Sequence, residues 1–152
     1  MKKTINSLII LVLAFSGLGT TSASAAKTYT LKFGVASYNW HSLADNEAEA
    51  NRTSECYAGQ YSKLSAGAIL KVTNENGKLL AIGKTAWKIT EVTDQGEDYG
   101  SVRYQGTCIL YTTIKKLPKA QIYQLNLGSV DAGAYTFQEM VADKWELLLS
   151  YN

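Results

Sequence analysis

The chain has 152 residues, 15 Lys or Arg against 13 Asp or Glu, one histidine, and 46% hydrophobic residues. That is enough for one domain with a sizeable core. The near balance of charge offers no electrostatic argument for nucleic acid or an anionic membrane, and a single histidine is poor material for a catalytic triad or a zinc centre.

Lys2 and Lys3 precede a mostly apolar run from Ile5 to Phe15, and Ala23-Ser24-Ala25 supplies the small residues of a cleavage site. This is the pattern of a Sec-type signal peptide over residues 1–25. It predicts export to the periplasm or the medium and one domain over residues 26–152. The apolar run is too short to span a bilayer, and no later segment approaches the roughly 18 apolar residues that a span needs. Removal of residues 1–25 takes away two lysines and no acid, leaving 13 basic against 13 acidic residues.

Tyr29, Leu31, Phe33 and Val35 alternate with smaller or polar residues, the period of a half-buried strand. Ser37 to Asn51 follows no clear period, although Leu43 to Asn51 fits a helical turn or a loop. Cys56 lies in what reads as a loop or short irregular strand. Gly67 to Ile89 is the organising stretch: two β-prone runs flank Asn74-Glu75-Asn76-Gly77, a strong hairpin signal. Both faces of its arms are rather apolar, as in a central or covered strand. Gly83 suits a bulge or a close approach of backbones. Trp87, Ile89 and Glu91 continue as a further strand.

Thr93 to Gly100 is a polar cluster that reads as a turn. Cys108, Leu110, Thr112 and Ile114 share one face of the next strand. Pro118 marks a turn, Ile122 to Leu127 a strand, and Gly128 to Ala134 a loop. Thr136-Phe137-Gln138-Glu139 is a capping box that predicts a short helix over Phe137–Ala142. Trp145, Leu147, Leu149 and Tyr151 alternate as a last strand. The fold class is therefore all-β, an antiparallel sandwich or small barrel, with one short helix near the C-terminus.

Two cysteines in an exported chain are expected to pair, so Cys56 and Cys108 predict a disulfide. The order of Cys56-x-x-Gly59-x-Tyr61, the Gly67–Gly83 hairpin, Cys108, Leu117-Pro118-x-Ala120-x-x-Tyr123, Tyr135-Thr136-x-x-Glu139-Met140 and Trp145-x-Leu147-x-Leu149 resembles a family of small exported or lipid-anchored bacterial proteins. The resemblance runs from Cys56 to Leu149 and implies the paired cysteines and the hairpin, but no reaction. No cysteine stands at the cleavage point for a lipid. The Arg-Gly pair common in that family after the Tyr123-type strand is replaced here by Gly128-Ser129-Val130-Asp131-Ala132-Gly133.

No GxSxG, HExxH or phosphate-loop motif occurs. His41, beside Trp40 and Ser42, reads as a surface or packing residue. The carboxylate clusters Asp45, Glu47, Glu49 and Asp94, Glu97, Asp98 lie in polar sequence and read as solvated loops. The second offers oxygens to calcium but lacks the order of a dedicated calcium loop. Ten tyrosines and three tryptophans are the compositional excess. Tyr38, Trp40, Tyr57 and Tyr61 flank the unreadable segment and are the candidate binding surface. The sequence thus predicts a non-catalytic binding module for an envelope protein or glycan, with no cofactor, metal or nucleic acid. The alternatives are a small inhibitor of an exported hydrolase and a carboxylate-based hydrolase.

Overall fold

The computed structural model describes residues 26–58, 63–98 and 101–151. The segment read as a signal peptide and Tyr61 lie outside them. Among the described residues, nine strands form two sheets. Sheet A has the order β2 (Tyr57–Ala58), β1 (Thr28–Ala44), β6 (Ser101–Pro118), β5 (Ala86–Asp98), with β9 (Glu146–Ser150) added parallel to β1. Sheet B has the order β4 (Leu79–Lys84), β3 (Ile69–Thr73), β7 (Ile122–Leu127), β8 (Val130–Thr136). All other pairings are antiparallel, and the fold is an all-β sandwich.

The core follows from the alternation. Leu31, Phe33 and Val35 of β1 and Cys108, Leu110 and Ile114 of β6 face Leu70 and Val72 of β3 and Tyr123, Leu125 and Leu127 of β7, all buried. Gly83 is a close approach of the two sheets: a Cβ there would lie 2.7 Å from Thr112 Oγ1 and 3.0 Å from Ile114. The helix α2 (Phe137–Ala142) starts on the expected capping box. Thr136 Oγ1 accepts from the Glu139 amide, and the Glu139 carboxylate accepts from the Thr136 amide at 2.7 Å. The Thr136 amide and the Thr136 hydroxyl, which donates to the same carboxylate oxygen at 2.8 Å, hold the Glu139 carboxyl below its ordinary pKa. Much of the aromatic excess is internal. Tyr29 stacks on Trp145 at 4.4 Å, beside Phe137 and Tyr123, while Trp40 packs against Trp87 and Tyr151.

Four expectations are corrected. The segment after Ala36 is not irregular chain but the second half of β1. Ala36 pairs with Ile109 and His41 with Thr107, so residues 37–40 bulge from the ladder. The bulge reverses the alternation: odd positions point inward before it, and Trp40 at its end and Ser42 after it point inward instead, which hides the strand from a period-two reading. The polar turn expected over Thr93 to Gly100 is mostly ladder, with β5 running to Asp98 and β6 starting at Ser101. The loop expected over Gly128 to Ala134 shrinks to a turn, and β8 begins at Val130. An edge strand accepts glycine and polar residues because only one side of it is paired. Finally, the β3–β4 hairpin buries only one face, leaving Ile69, Leu79 and Ile82 exposed on the other.

Cys56 and Cys108 are joined as a disulfide, 52 residues apart in sequence. It ties the segment before β2 to the centre of β6. That segment includes the helical turn α1 (Glu47–Ala50), capped by Asn46 Oδ1, which accepts from the Glu49 amide at 2.9 Å, and a 3-10 turn at Thr53–Glu55. Ala50 is fully buried.

Candidate functional site

The four aromatic residues singled out in the sequence separate in space. Trp40 is only 1% exposed and belongs to the core. The bulge turns its ring inward onto Trp87 at 5.6 Å, so it is withdrawn from the candidate surface. Tyr61 lies outside the described residues. Tyr38 is 77% exposed and Tyr57 is 43% exposed.

Tyr38 and Tyr57 both reach the outer face of sheet A. Tyr57 pairs with His41 across β1 and β2. His41 lies between two inward-facing neighbours, Trp40 and Ser42, so it and its partner point outward. Tyr38 rides on the bulge and borders an open hollow with Ala36, Ser37, Thr107 and Ser150. Beyond the hollow lie Ile109, Tyr111 and Leu148. Gly34 makes room for them: a Cβ there would meet Leu148 Cδ1 at 3.0 Å and Ile109 Cδ1 at 3.4 Å. Leu148 is still 64% exposed, and Lys88 stands over the Tyr111 ring at 4.6 Å. The face is apolar and aromatic, framed by the Lys32–Glu146 ion pair at 3.3 Å.

Sequence reasoning missed the pairing of His41 with Tyr57. The Tyr57 hydroxyl and His41 Nε2 are hydrogen-bonded, and their rings meet edge to face at 4.3 Å. Burial lowers the His41 pKa and raises that of Tyr57. His41 Nδ1 and the neighbouring Ser42 hydroxyl are buried and make no hydrogen bond among the described residues. A pair on two strands 16 residues apart carries no local motif, so no spacing signal existed to find it. Leu148 had one, because Leu147-Leu148-Leu149 breaks alternation and forces one leucine outward.

A second concavity lies at the far end of sheet A. It is an open cleft of ≈ 430 Å³ lined by Leu43, Ala44, Asp45, Glu49, Arg52, Glu55 and Arg103. Arg52 bridges to Glu49 at 3.3 Å, and Asp45 and Glu47 are exposed. This is the arrangement of a solvated charged surface. The side chains of Glu97 and Asp98 lie outside the described residues, so the calcium reading of that cluster has no geometry to set beside it. Among the described residues, no group of three His, Cys, Asp or Glu side chains is placed to hold a metal ion. Likewise, no described helix is long and apolar enough to cross a membrane.

The fold and site define a disulfide-stapled β-sandwich with one open aromatic face. No family model, curated protein or solved structure matches the chain.

Proposed function

We propose that this protein is an exported, non-catalytic binding module of the small bacterial envelope family that it resembles. On this reading it captures an envelope protein or glycan through the outer face of sheet A. The observation that carries the reading is Tyr38, 77% exposed on a four-residue bulge. An exposed ring offers contact area to a partner, and tyrosine gives that area at small entropic cost. Tyr57, Leu148 and the hollow beside Tyr38 extend the contact. The staple and the cross-strand pairing supply preorganisation, which lowers the entropic cost of binding. The protruding bulge also suits the inhibitor reading, in which Tyr38 would enter a hydrolase cleft.

The test is capture from envelope extract and glycan arrays by the chain from Ala26 onward, compared with Tyr38→Ala and Tyr57→Ala. Tyr38→Ala leaves the core untouched and should weaken capture by roughly thirtyfold, the scale of an interface hot spot. Capture that is unchanged in both variants would overturn the reading.

A further inference from the structure

The near balance of charge conceals a segregated molecule. From Lys63 to Lys84 the chain carries Lys63, Lys71, Lys78 and Lys84 against Glu75 alone. From Asp45 to Glu55, with Glu91, Asp94 and Arg103, it carries six carboxylates against two arginines. β5 leads away from the first group towards the second. Asp94 lies eight residues beyond Ala86, roughly 25 Å along the strand. The basic group centres on the β3–β4 hairpin and the acidic group on the far end of sheet A.

The basic hairpin has an exposed apolar face. Leu70 and Val72 fill the core, so Ile69, Lys71 and Thr73 point outward from β3. The register sets Ile69 beside Lys84, Lys71 beside Ile82 and Thr73 beside Leu79. Isoleucine and lysine therefore exchange strands from one rung to the next, and Ile69, Leu79 and Ile82 remain 36%, 54% and 61% exposed. Among the described residues Lys71, Lys78 and Lys84 make no ion pair. Guarding an edge strand would account for Lys84 on β4. It accounts neither for Lys71 on the interior strand β3 nor for three aliphatic side chains left in water. Glu75 in the hairpin turn accepts from the Ile122 amide at 3.5 Å, and Asp131 on β8 accepts from the Gly133 amide at 2.9 Å.

We infer that the outer face of the β3–β4 hairpin docks on an anionic lipid bilayer. Ile69, Leu79 and Ile82 enter the boundary between headgroups and acyl chains, and Lys71, Lys78 and Lys84 lie against lipid phosphates. Interleaved aliphatic and cationic side chains are what such an interface selects, because each term alone is weak. The acidic end is repelled by the same surface, so charge sets the orientation as well as the contact. The aromatic face lies on the opposite sheet and stays free.

The experiment is cosedimentation of the chain from Ala26 onward, which contains every described element of the fold. Vesicles of phosphatidylcholine are used with and without phosphatidylglycerol. Binding should require phosphatidylglycerol and fall with added salt. Lys71→Gln and Lys84→Gln should each weaken it by about fivefold. Ile82→Ser, at an exposed position that leaves the core intact, should weaken it further, whereas Tyr38→Ala should not change it. Equal affinity for neutral vesicles, no binding to either kind, or binding that ignores the hairpin substitutions would each overturn the inference. So would capture by a soluble anionic polysaccharide in place of the anionic vesicles. The vesicle result is independent of the Tyr38 capture result, so either proposal can fail alone.

Discussion

Sheet A is one continuous sheet with two differently built halves. Where β1 runs from Leu31 to Val35 and β6 from Cys108 to Ile114, sheet B lies across it. There the contact is dry and made of Leu, Phe, Val and Tyr. Beyond the bulge, where β1 runs from His41 to Ala44 and β6 from Tyr104 to Thr107, no second sheet covers it among the described residues. The cover is the α1 turn, seated on Gly106, and the 3-10 turn at Thr53–Glu55, held down by the Cys56–Cys108 disulfide. The first half is stabilised by apolar area, which needs many side chains but no special geometry. The second has few such side chains and depends on a covalent link and a close backbone approach. Small exported folds use cross-links where a core cannot be built.

The largest effect expected from this difference comes from the staple. Cys56→Ala with Cys108→Ala opens a loop of 52 residues, which is worth about 4 kcal/mol in the chain-entropy account. Amides of residues 41–58 and 104–107 should then exchange by local opening, while those of Leu70–Val72 and Tyr123–Leu127 still require global unfolding. Denaturant unfolding gives the first quantity and native-state hydrogen exchange the second. Equal loosening of both halves would break the comparison.

Gly106→Ala probes the same half without touching the disulfide. Its Cβ would fall 2.7 Å from the Ala50 carbonyl oxygen, a backbone atom that cannot rotate away. The α1 turn must lift, at a cost of about 1–3 kcal/mol, as for other overpacked sites. The loss should appear as faster exchange around Ala50 rather than in sheet B. A variant as stable as the parent would show that the turn is already loose.

The sandwich half was legible in the sequence and the bulged half was not, for one physical reason. A strand buried on one face writes an unbroken period of two, and Leu31–Val35, Cys108–Ile114 and Tyr123–Leu127 all carry it. The capping box at Thr136 and the Asn-Gly hairpin are local chemistry and are equally visible. The bulge at residues 37–40 inverts the period, so His41 to Ala44 looks patternless although it is fully laddered. The same inversion misplaced Trp40, read as a surface aromatic and found in the core. Charge segregation escaped composition because opposite excesses cancel. The hairpin's apolar outer face was visible as sequence, but it read as burial because Ile69 and Ile82 are core residue types.

The smallest expected effect concerns His41, which sits where the two halves meet. Among the described residues its ring has one hydrogen-bond partner, Tyr57, while Thr107 is its register partner on β6. Nδ1 is buried without a partner among those residues. Protonation would place a charge and a second N–H donor on a ring that can satisfy only one, and burial accordingly lowers its pKa from the ordinary 6.5. A group whose pKa is lower in the folded than in the unfolded chain takes up protons preferentially on unfolding. Its contribution to stability is therefore complete above pH 6.5 and is lost as the pH falls through the folded value. Urea unfolding at stepped pH values below neutral should show that decline, and His41→Gln should flatten it. Glu139 acts in a separate window, because its lowered pKa removes stability only as the pH falls below the ordinary 4.5. If the decline persists in His41→Gln, it belongs to other groups. If it disappears and exchange quickens first around Tyr57 in the parent, His41 is the point at which acid loosens the stapled half before the sandwich.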